Sequence, residues 1–117
     1  MGHARRIPVD LCTGYPYDYR VDMPAEFEWD DAKASANEAK HSVRFDYAAA
    51  VFLDDNRLDL DTTRASDGEE RRKTIGLIEG KLYTVVYTLR SSVCRLISTR
   101  RSNAKESRSY GYHSKDS

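Results

Sequence analysis

The alternation of apolar and polar positions predicts one strand and two helices in the first half of the chain. The tetrapeptide EFEW at 26–29 alternates as a short strand does. In the polar segment that follows, Asp30 is the predicted N-cap of a helix that ends at His41. Asp46 is the predicted N-cap of a second short helix, whose expected buried stripe consists of Ala48, Val51 and Phe52.

Four strands and a last helix are predicted in the second half of the chain. The segment RLDLD at 57–61 alternates as a strand, and three apolar runs joined by short turns predict an antiparallel meander at 71–78, 82–89 and 93–100. The segment 102–111 predicts a helix with Ser102 as N-cap and Gly111 just past its end. The order β-α-α-β-β-β-β-α, a small antiparallel sheet with helices beside it, indicates the α+β class.

Residues 1–22 are predicted to be a flexible N-terminal extension, followed by a single domain at residues 23–117. Pro8, Gly14 and Pro16 interrupt the first segment, and its run GYPYDYR shows no sustained helical or strand period. A chain of 117 residues is long enough to bury one modest hydrophobic core.

Composition indicates a globular protein with a heavily solvated surface. Apolar residues make up 39% and charged residues 32% of the chain, and the mean hydropathy is −0.73. No apolar run reaches transmembrane length, and no apolar stretch of a secretion signal follows the basic N-terminus. A cytoplasmic location without membrane association is therefore expected, with Cys12 and Cys94 as free thiols and a disulfide between them as the alternative.

The net charge of zero hides a division between two parts of the chain. The segment 23–70 contains five basic and thirteen acidic residues, whereas the segment 71–117 contains eleven basic and three acidic residues. This asymmetry indicates a binding site for a polyanion on the basic part and a shielding or partner surface on the acidic part. The alternative is that the two parts interleave in the fold and neutralise each other.

Familiar metal and nucleotide motifs are absent from the sequence. His3, His41 and His113 are far apart, and neither an HExxH nor a CxxC motif is present, so no metal site is expected. No glycine-rich loop precedes a predicted helix, which excludes the common phosphate-binding nucleotide folds, and no cofactor is predicted.

The remaining candidate chemistry is a group of cations on the last three strands and the helix after them. Its members are Arg71, Arg72, Lys73, Arg95, Arg100, Arg101, Lys105 and Arg108, with Tyr110 beside them. Strand alternation puts Arg100 on a face with Leu96 and Ser98, and Arg101 on the other face with Arg95, Ile97 and Thr99. Solvating charge is the alternative interpretation of these side chains, and it is preferred for Arg72, Lys73 and Lys81.

Three blocks of sequence resemble the BrnT family of bacterial type II toxins, which are ribonucleases related in fold to the RelE group. The blocks are FEWDDAKASANEAKHSVRFDYAAAVFLD (27–54), SDGEERRKTIGL (66–77) and CRLISTRRSNAKESRSY (94–110). Two features depart from the family pattern. Ser42 stands where a glycine usually follows the Lys-His pair, and residues 1–22 have no counterpart in the usual family start.

The resemblance implies a RelE-like fold and metal-free cleavage of RNA that inhibits translation. It also implies a BrnA-type antitoxin, which is a ribbon-helix-helix DNA-binding protein, and binding of the toxin–antitoxin complex to its own operator DNA. The alternatives are a non-catalytic module that keeps the BrnT fold and binds antitoxin or RNA, and a small nucleic-acid-binding regulator that acts alone.

Metal-free attack of a ribose 2′-hydroxyl on the phosphate requires proton transfer and cations that stabilise the phosphorane. The expected phosphate-binding cations are Arg71, Arg100 and Arg101, because a guanidinium is always charged and binds phosphate in a bidentate manner. Tyr110 and His41 are candidates for proton transfer or base stacking, and Glu70, Lys33 and Lys40 are alternatives for proton transfer. The expected RNA-binding residues are Arg95, Lys105, Arg108 and Trp29. For His41 a helix-ending role and for Trp29 a core position are the alternatives.

Overall fold

Six strands form one sheet within the part of the chain that the structure describes. The structure is a computed structural model, and it describes residues 4–8, 26–64, 66 and 68–116. The strands are β1 Ala4–Pro8, β2 Glu26–Asp30, β3 Leu58–Asp61, β4 Arg72–Ile78, β5 Lys81–Arg90 and β6 Val93–Arg101. Across the sheet they lie in the order β1-β2-β6-β5-β4-β3.

Three α-helices and one 3₁₀ helix accompany the sheet in the described residues. They are α1 Asp31–His41, α2 Phe45–Ala48, the 3₁₀ helix Ala49–Leu53, and α3 Ala104–Asp116. The predicted second helix is therefore an α-helical turn that continues as a 3₁₀ helix. From Glu26 onward the elements follow the predicted order β-α-α-β-β-β-β-α, which confirms the α+β class.

The N-terminal ends of the first two helices give one confirmed and one wrong prediction. Asp30 Oδ1 accepts hydrogen bonds from the backbone N–H of Ala32 at 2.8 Å and of Lys33 at 3.2 Å, as an N-cap does. Asp46 is not the N-cap of α2, because that helix begins at Phe45 and Arg44 occupies the cap position, two residues before Asp46. The Asp46 carboxylate instead pairs with Arg44 at 2.7 Å.

One pair of strands is parallel, so the sheet is mixed and mostly antiparallel instead of wholly antiparallel. β2 runs parallel to β6, with Phe27 opposite Cys94 and Glu28 opposite Arg95. The other neighbouring pairs are antiparallel. The short turns of the meander specify the directions of β4, β5 and β6, but β2 and β6 are far apart in the sequence, and no local pattern encodes their relative direction.

The strand β1 was not predicted from the sequence. Residues 4–8 pair antiparallel with β2, so that Ala4 lies opposite Asp30 and Pro8 lies opposite Glu26. The other residues of the predicted flexible extension, 1–3 and 9–22, lie outside the described residues. The domain boundary at residue 23 therefore stays a prediction.

The two faces of the sheet are covered by different helices. The core face carries Tyr83, Val85 and Tyr87 of β5, and α1, α2 and the 3₁₀ helix pack on it. The α3 face carries Thr84 and Val86 of β5, and here Thr84 Oγ1 lies 2.9 Å from Glu106 Oε1 of α3. Residues that lie opposite each other in an antiparallel pair share a face, so the register assigns each paired residue of β4 and β6 to one of these two faces.

Aromatic side chains dominate the hydrophobic core on the core face. The rings of Phe27 and Phe52 lie with their centroids 5.2 Å apart, and Phe52 meets Tyr87 edge-on at 5.0 Å. Cys94 is a buried free thiol in this core, as expected, whereas Cys12 lies outside the described residues. The predicted stripe of the second helix is buried, with exposures of 0%, 0% and 2% for Ala48, Val51 and Phe52.

A β-bulge in β6 interrupts the alternation of its side chains. Val86 lies opposite Ser98, but Tyr87 lies opposite Leu96, so Ile97 is an extra residue in β6. Each residue beyond the bulge therefore points to the face opposite to the one that simple alternation from the start of the strand would give it.

The bulge determines which basic side chains share a face. By the register, Arg100 and Arg95 share the α3 face, whereas Arg101 and Leu96 share the core face. The sequence-based assignment, which put Leu96 with Arg100 and Arg95 with Arg101, is wrong because it assumed unbroken alternation. The prediction that Arg100 and Arg101 point to opposite faces is confirmed.

Candidate functional site

Arg100 and Glu106 form a two-pronged ion pair on the α3 face. Arg100 Nη1 lies 2.8 Å from Glu106 Oε1, and Arg100 Nη2 lies 2.7 Å from Oε2. Lys73 Nζ of β4 lies 3.2 Å from the same Oε2. Two cations, from the strands on either side of β5, thus pair with one carboxylate from the helix. We call Lys73, Thr84, Arg100 and Glu106 the Glu106 cluster.

The start of α3 places Glu106 in this position. The Asn103 side chain accepts a hydrogen bond from the Glu106 N–H at 2.8 Å, and Glu106 Oε1 accepts one from the Asn103 N–H at 2.9 Å. This is the reciprocal arrangement of a capping box, in which the third helical residue bonds back to the cap. The predicted cap Ser102 is therefore wrong by one residue. Gly111 lies inside α3 and not beyond its end.

The carboxylate of Glu106 is buried and yet fully charged. The residue is only 4% exposed. Burial alone would raise its pKa, but hydrogen bonds from Arg100, the Asn103 N–H, Thr84 and Lys73 outweigh that effect and lower the pKa of Glu106 to about 2. The same pairing raises the pKa of Arg100. Arg100 and Glu106 are therefore both charged across the physiological range.

Arg101 has a different environment from its neighbour. Its guanidinium carbon lies 5.4 Å from the ring centroid of Tyr83 on the core face, in a cation–π arrangement, and the residue is exposed. The adjacent arginines thus differ in what fixes them. Arg100 is held by a buried carboxylate, whereas the exposed Arg101 lies over the largely buried ring of Tyr83.

Tyr110 lies one helical turn after Glu106 on α3 and is hydrogen-bonded to a carboxylate. Its hydroxyl donates to Asp54 Oδ2 at 2.6 Å, and the same oxygen accepts the backbone N–H of Leu77 at 2.9 Å. Partial burial, followed by this hydrogen bond, raises the pKa of Tyr110 above its ordinary value. The phenol is therefore neutral at physiological pH, where it is a donor and not a base.

Comparison with protein families gives one match over most of the chain. The family model described as the ribonuclease toxin BrnT of type II toxin–antitoxin systems matches residues 29–106. The chain belongs to the BrnT family. No curated protein matches the chain. All members of the Glu106 cluster lie within the matched residues, whereas Tyr110 lies just beyond them.

Arg71 and Arg95 lie in the sheet region of this BrnT chain, Arg71 directly before β4 and Arg95 in β6. Arg71 directly precedes β4, and its backbone N–H donates to Thr63 Oγ1 at 2.8 Å. Arg95 Nη1 lies 2.7 Å from Oε2 of Glu28, a carboxylate whose side chain is 8% exposed. By the register, Arg95 shares the α3 face with Arg100.

Four of the predicted site residues lie away from the Glu106 cluster or point outward from it. Trp29 is 5% exposed and packs edge-on against Phe45 with centroids 6.1 Å apart, which is the core position given as its alternative. His41 ends α1, which packs on the core face. Lys105 and Arg108 are exposed on α3. They are available to a ligand that approaches the helix from solvent.

The structure brings in residues that the sequence analysis did not select. Lys73 had been assigned to solvating charge, and Glu106 and Thr84 had no role. The spacing Asn-x-x-Glu at 103–106 is a detectable capping-box signal that would have identified Glu106 as the third residue of the helix. Nothing in the local sequence indicates that its carboxylate also reaches Lys73, because that contact joins residues 33 positions apart.

The described residues contain neither a cluster of metal ligands nor a membrane-spanning helix. No group of three or more His, Cys, Asp and Glu side chains in this part of the chain is arranged to hold a metal ion. Among the same residues, none of the helices combines the length and apolar character needed to span a membrane.

Proposed function

We propose that this BrnT chain is a metal-independent endoribonuclease that cleaves RNA by attack of the ribose 2′-hydroxyl and thereby inhibits translation. The observation that carries the proposal is the match to a ribonuclease toxin family over residues 29–106, a span that includes the whole Glu106 cluster. Arg100 and Lys73 supply two cations on one face of the sheet, which is what a charged phosphorane requires.

Arg100 has the central role in the proposed chemistry. Its guanidinium is fixed before a substrate arrives, and preorganised donors stabilise developing charge without rearrangement. Lys73 adds a second positive charge, and Arg71 lies two residues before Lys73, directly before the same strand. Arg95, Lys105 and Arg108 are proposed to bind the RNA backbone. Arg101 is proposed to bind RNA from the neighbouring face instead of taking part in the chemistry.

The proton-transfer roles follow from the electrostatics. Glu106 is a poor general base, because a carboxylate whose pKa is about 2 has little affinity for a proton. Tyr110 is neutral and is proposed as the proton donor to the departing oxygen, for which its single hydroxyl hydrogen must leave Asp54 Oδ2. The 2′-hydroxyl proton therefore needs another acceptor. Glu70, which directly precedes Arg71 in the chain, is the proposed base, and His41, which ends a helix on the core face, is the weaker candidate.

The proposed partner is a ribbon-helix-helix antitoxin of the BrnA type, and the complex is proposed to bind its own operator DNA in the cytoplasm. Membership of a type II toxin family supports the existence of a protein antitoxin. The division of charge along the chain supports separate surfaces for RNA and for a partner.

Expression in a bacterial host combined with RNA cleavage in vitro tests the proposed function. Expression without antitoxin should arrest growth, and the purified protein should cut RNA in the presence of EDTA. The products should carry a 2′,3′-cyclic phosphate or a 3′-phosphate and a 5′-hydroxyl, because the 2′-oxygen is the nucleophile. Loss of cleavage in EDTA, or 5′-phosphate ends, would contradict this mechanism.

The second candidate function is a non-catalytic module that keeps the BrnT fold and binds antitoxin or RNA. The pairing of both Arg100 and Lys73 with Glu106 favours it, since a carboxylate in the site reduces the net positive charge offered to a phosphate. Normal growth at verified expression, together with RNA binding but no cleavage in vitro, would favour this function.

A further inference from the structure

Glu106 determines which hydrogen atoms of Arg100 remain available to a ligand. A guanidinium carries five N–H donors in one rigid plane. Two of them point at the Glu106 carboxylate, at 2.8 and 2.7 Å, and a third, on Nη1, donates to the Arg101 carbonyl oxygen at 3.3 Å. The Nε–H and the second hydrogen of Nη2 are left, and within the described residues they have no hydrogen-bond partner. These two hydrogens lie side by side on one edge of the plane.

The remaining edge of Arg100 is suited to a phosphate. Two parallel N–H groups on a guanidinium match the spacing of two oxygens on a phosphate or carboxylate. The Arg100 side chain is 31% exposed and the Glu106 side chain is 5% exposed, so solvent reaches the arginine and hardly reaches the carboxylate. The Glu106 carboxylate occupies the Nη1–Nη2 end of the guanidinium, and the Nε–Nη2 edge is left for a ligand.

Several contacts immobilise Glu106 itself. Its carboxylate accepts hydrogen bonds from Thr84 Oγ1 at 2.9 Å and from the Asn103 N–H at 2.9 Å, in addition to those from Arg100 and Lys73. A strand residue, a helix cap and two cations thus hold one carboxylate. A group fixed in this way can fix the guanidinium that is bound to it.

We propose that Glu106 is a positioning residue for RNA cleavage, which aims the Nε–Nη2 edge of Arg100 at the scissile phosphate. This inference rests on the proposed ribonuclease function. It assigns Glu106 no contact with the substrate. Removal of its charge should misplace Arg100 without weakening RNA binding, because the cluster becomes more positive while its geometry is lost.

Glu106→Gln separates positioning from electrostatic screening and from a purely structural role. The amide keeps the size of the side chain but presents an N–H₂ group toward the donors of Arg100. The single-turnover cleavage rate should fall about a hundredfold, the scale of a small misplacement of a reacting group. The dissociation constant for a 2′-O-methyl RNA, which has no 2′-hydroxyl to attack, should be unchanged or lower. If Glu106 only screened the positive charge of the cluster, Glu106→Gln would cleave faster than the wild type. If Glu106 only stabilised the fold, the variant would bind RNA more weakly. Either result would overturn the proposal.

A double-mutant comparison supplies the second readout. In an Arg100→Ala background, Glu106→Gln should change the cleavage rate less than twofold, because its effect acts through the arginine that is already absent. Equal losses in both backgrounds would overturn the proposal. The exposed Glu38→Gln on α1 is the matched control and should cleave as the wild type does.

NMR of the arginine side chains decides the inference even if no RNA is cleaved. In the wild type, the Nη hydrogens of Arg100 should give separate, slowly rotating signals, unlike those of the exposed Arg108, and the Nε–H signal should shift on addition of the 2′-O-methyl RNA. Averaged Arg100 signals would overturn the positioning role. An inactive wild type with fixed Arg100 signals and the expected shift would overturn the proposed ribonuclease function and leave the positioning of Arg100 supported.

Discussion

Asn37 and Thr99 make three hydrogen bonds with each other in the buried layer between α1 and β6. Asn37 Nδ2 donates to the Thr99 carbonyl oxygen at 2.7 Å and lies 2.9 Å from Thr99 Oγ1, and the Thr99 N–H donates to Asn37 Oδ1 at 3.1 Å. The same Nδ2 also lies 3.2 Å from the Val43 carbonyl oxygen. One amide therefore satisfies both backbone groups of the strand residue directly before Arg100.

Replacement of Asn37 by alanine should destabilise the protein by about 2–3 kcal/mol. The substitution leaves the buried N–H and carbonyl oxygen of Thr99 without partners, and an unsatisfied buried polar group costs roughly 1–3 kcal/mol. Urea unfolding followed by circular dichroism gives the free energy of unfolding. Lys40→Ala on the exposed side of the same helix is the matched control and should change it by less than about 0.5 kcal/mol. Equal effects of the two substitutions would contradict the role of the buried amide.

Replacement of Ser42 by glycine should stabilise the protein. It ends α1 with φ 59° and ψ 31°, in the left-handed region, and its N–H donates to the Glu38 carbonyl oxygen at 2.8 Å. A side chain is strained in that region, and this is the position where the family resemblance expects glycine. Ser42→Gly should gain about 0.5–1 kcal/mol in the free energy of unfolding.

Replacement of serine by glycine about two helical turns earlier should have the opposite effect on the free energy of unfolding. Ser35 lies exposed inside α1, where glycine is a poorer helix former than serine, so Ser35→Gly should lose about 0.5 kcal/mol. Thermal unfolding of both variants checks the pair. A loss of stability in Ser42→Gly would show that the serine makes a contribution that outweighs its backbone strain.

The sequence was sufficient to predict the elements that are specified by neighbouring residues in the chain. The cap at Asp30, the meander and the buried stripe at Ala48, Val51 and Phe52 follow from spacing and turns, and all are present. The core position of Trp29 was the alternative given for a single large aromatic residue. These features depend on neighbours in the chain, which a single sequence displays.

Features that depend on distant parts of the chain were not predictable in the same way. The extra residue Ile97 reverses the faces of Arg95 and Leu96 relative to Arg100, and no turn residue marks that bulge. The parallel pairing of β2 with β6 is likewise a long-range contact. The contact of Glu106 with Lys73 is also long-range. Arg100 was therefore predicted as a site residue, whereas the carboxylate that holds it was not.

Glu106 should make the protein sensitive to acid. In the folded state the pKa is lowered to about 2, from an ordinary value of 4.5. As the pH falls from about 5 to 2, the unfolded chain takes up a proton at this position and the folded chain does not, so folding stability decreases. The contribution present at neutral pH should be on the order of 3 kcal/mol.

Urea unfolding across this pH range measures the effect. Glu106→Gln should be less stable than the wild type at pH 7, and the difference should shrink toward pH 2, where the wild type begins to lose its charged carboxylate. The exposed Glu38→Gln should keep the pH dependence of the wild type. A difference between wild type and Glu106→Gln that does not change with pH would contradict a lowered pKa at Glu106.

Arg100 and Arg101 should contribute unequally to RNA cleavage, although they are adjacent and carry the same charge. Arg100 is fixed by Glu106 on the α3 face, whereas Arg101 lies exposed over the Tyr83 ring. Arg100→Ala should lower the single-turnover rate by about a hundred- to a thousandfold, the scale of removing one preorganised transition-state donor. Arg101→Ala should lower it by less than about tenfold and should weaken RNA binding instead.

The stability of the Arg100 variant must be separated from its chemistry, because Arg100→Ala leaves the buried Glu106 carboxylate with Lys73 as its remaining cationic partner among the contacts described. The double variant Arg100→Ala/Glu106→Gln removes the arginine and the carboxylate charge together, so it preserves the net charge of the cluster. If the lost rate reflects the missing guanidinium, the double variant should be as slow as Arg100→Ala even where its thermal midpoint is restored. Recovery of cleavage in the double variant would mean that the single variant fails because its buried Glu106 carboxylate has lost the Arg100 charge. Wild-type activity in both Arg100→Ala and Arg101→Ala would return these arginines to the role of solvating charge.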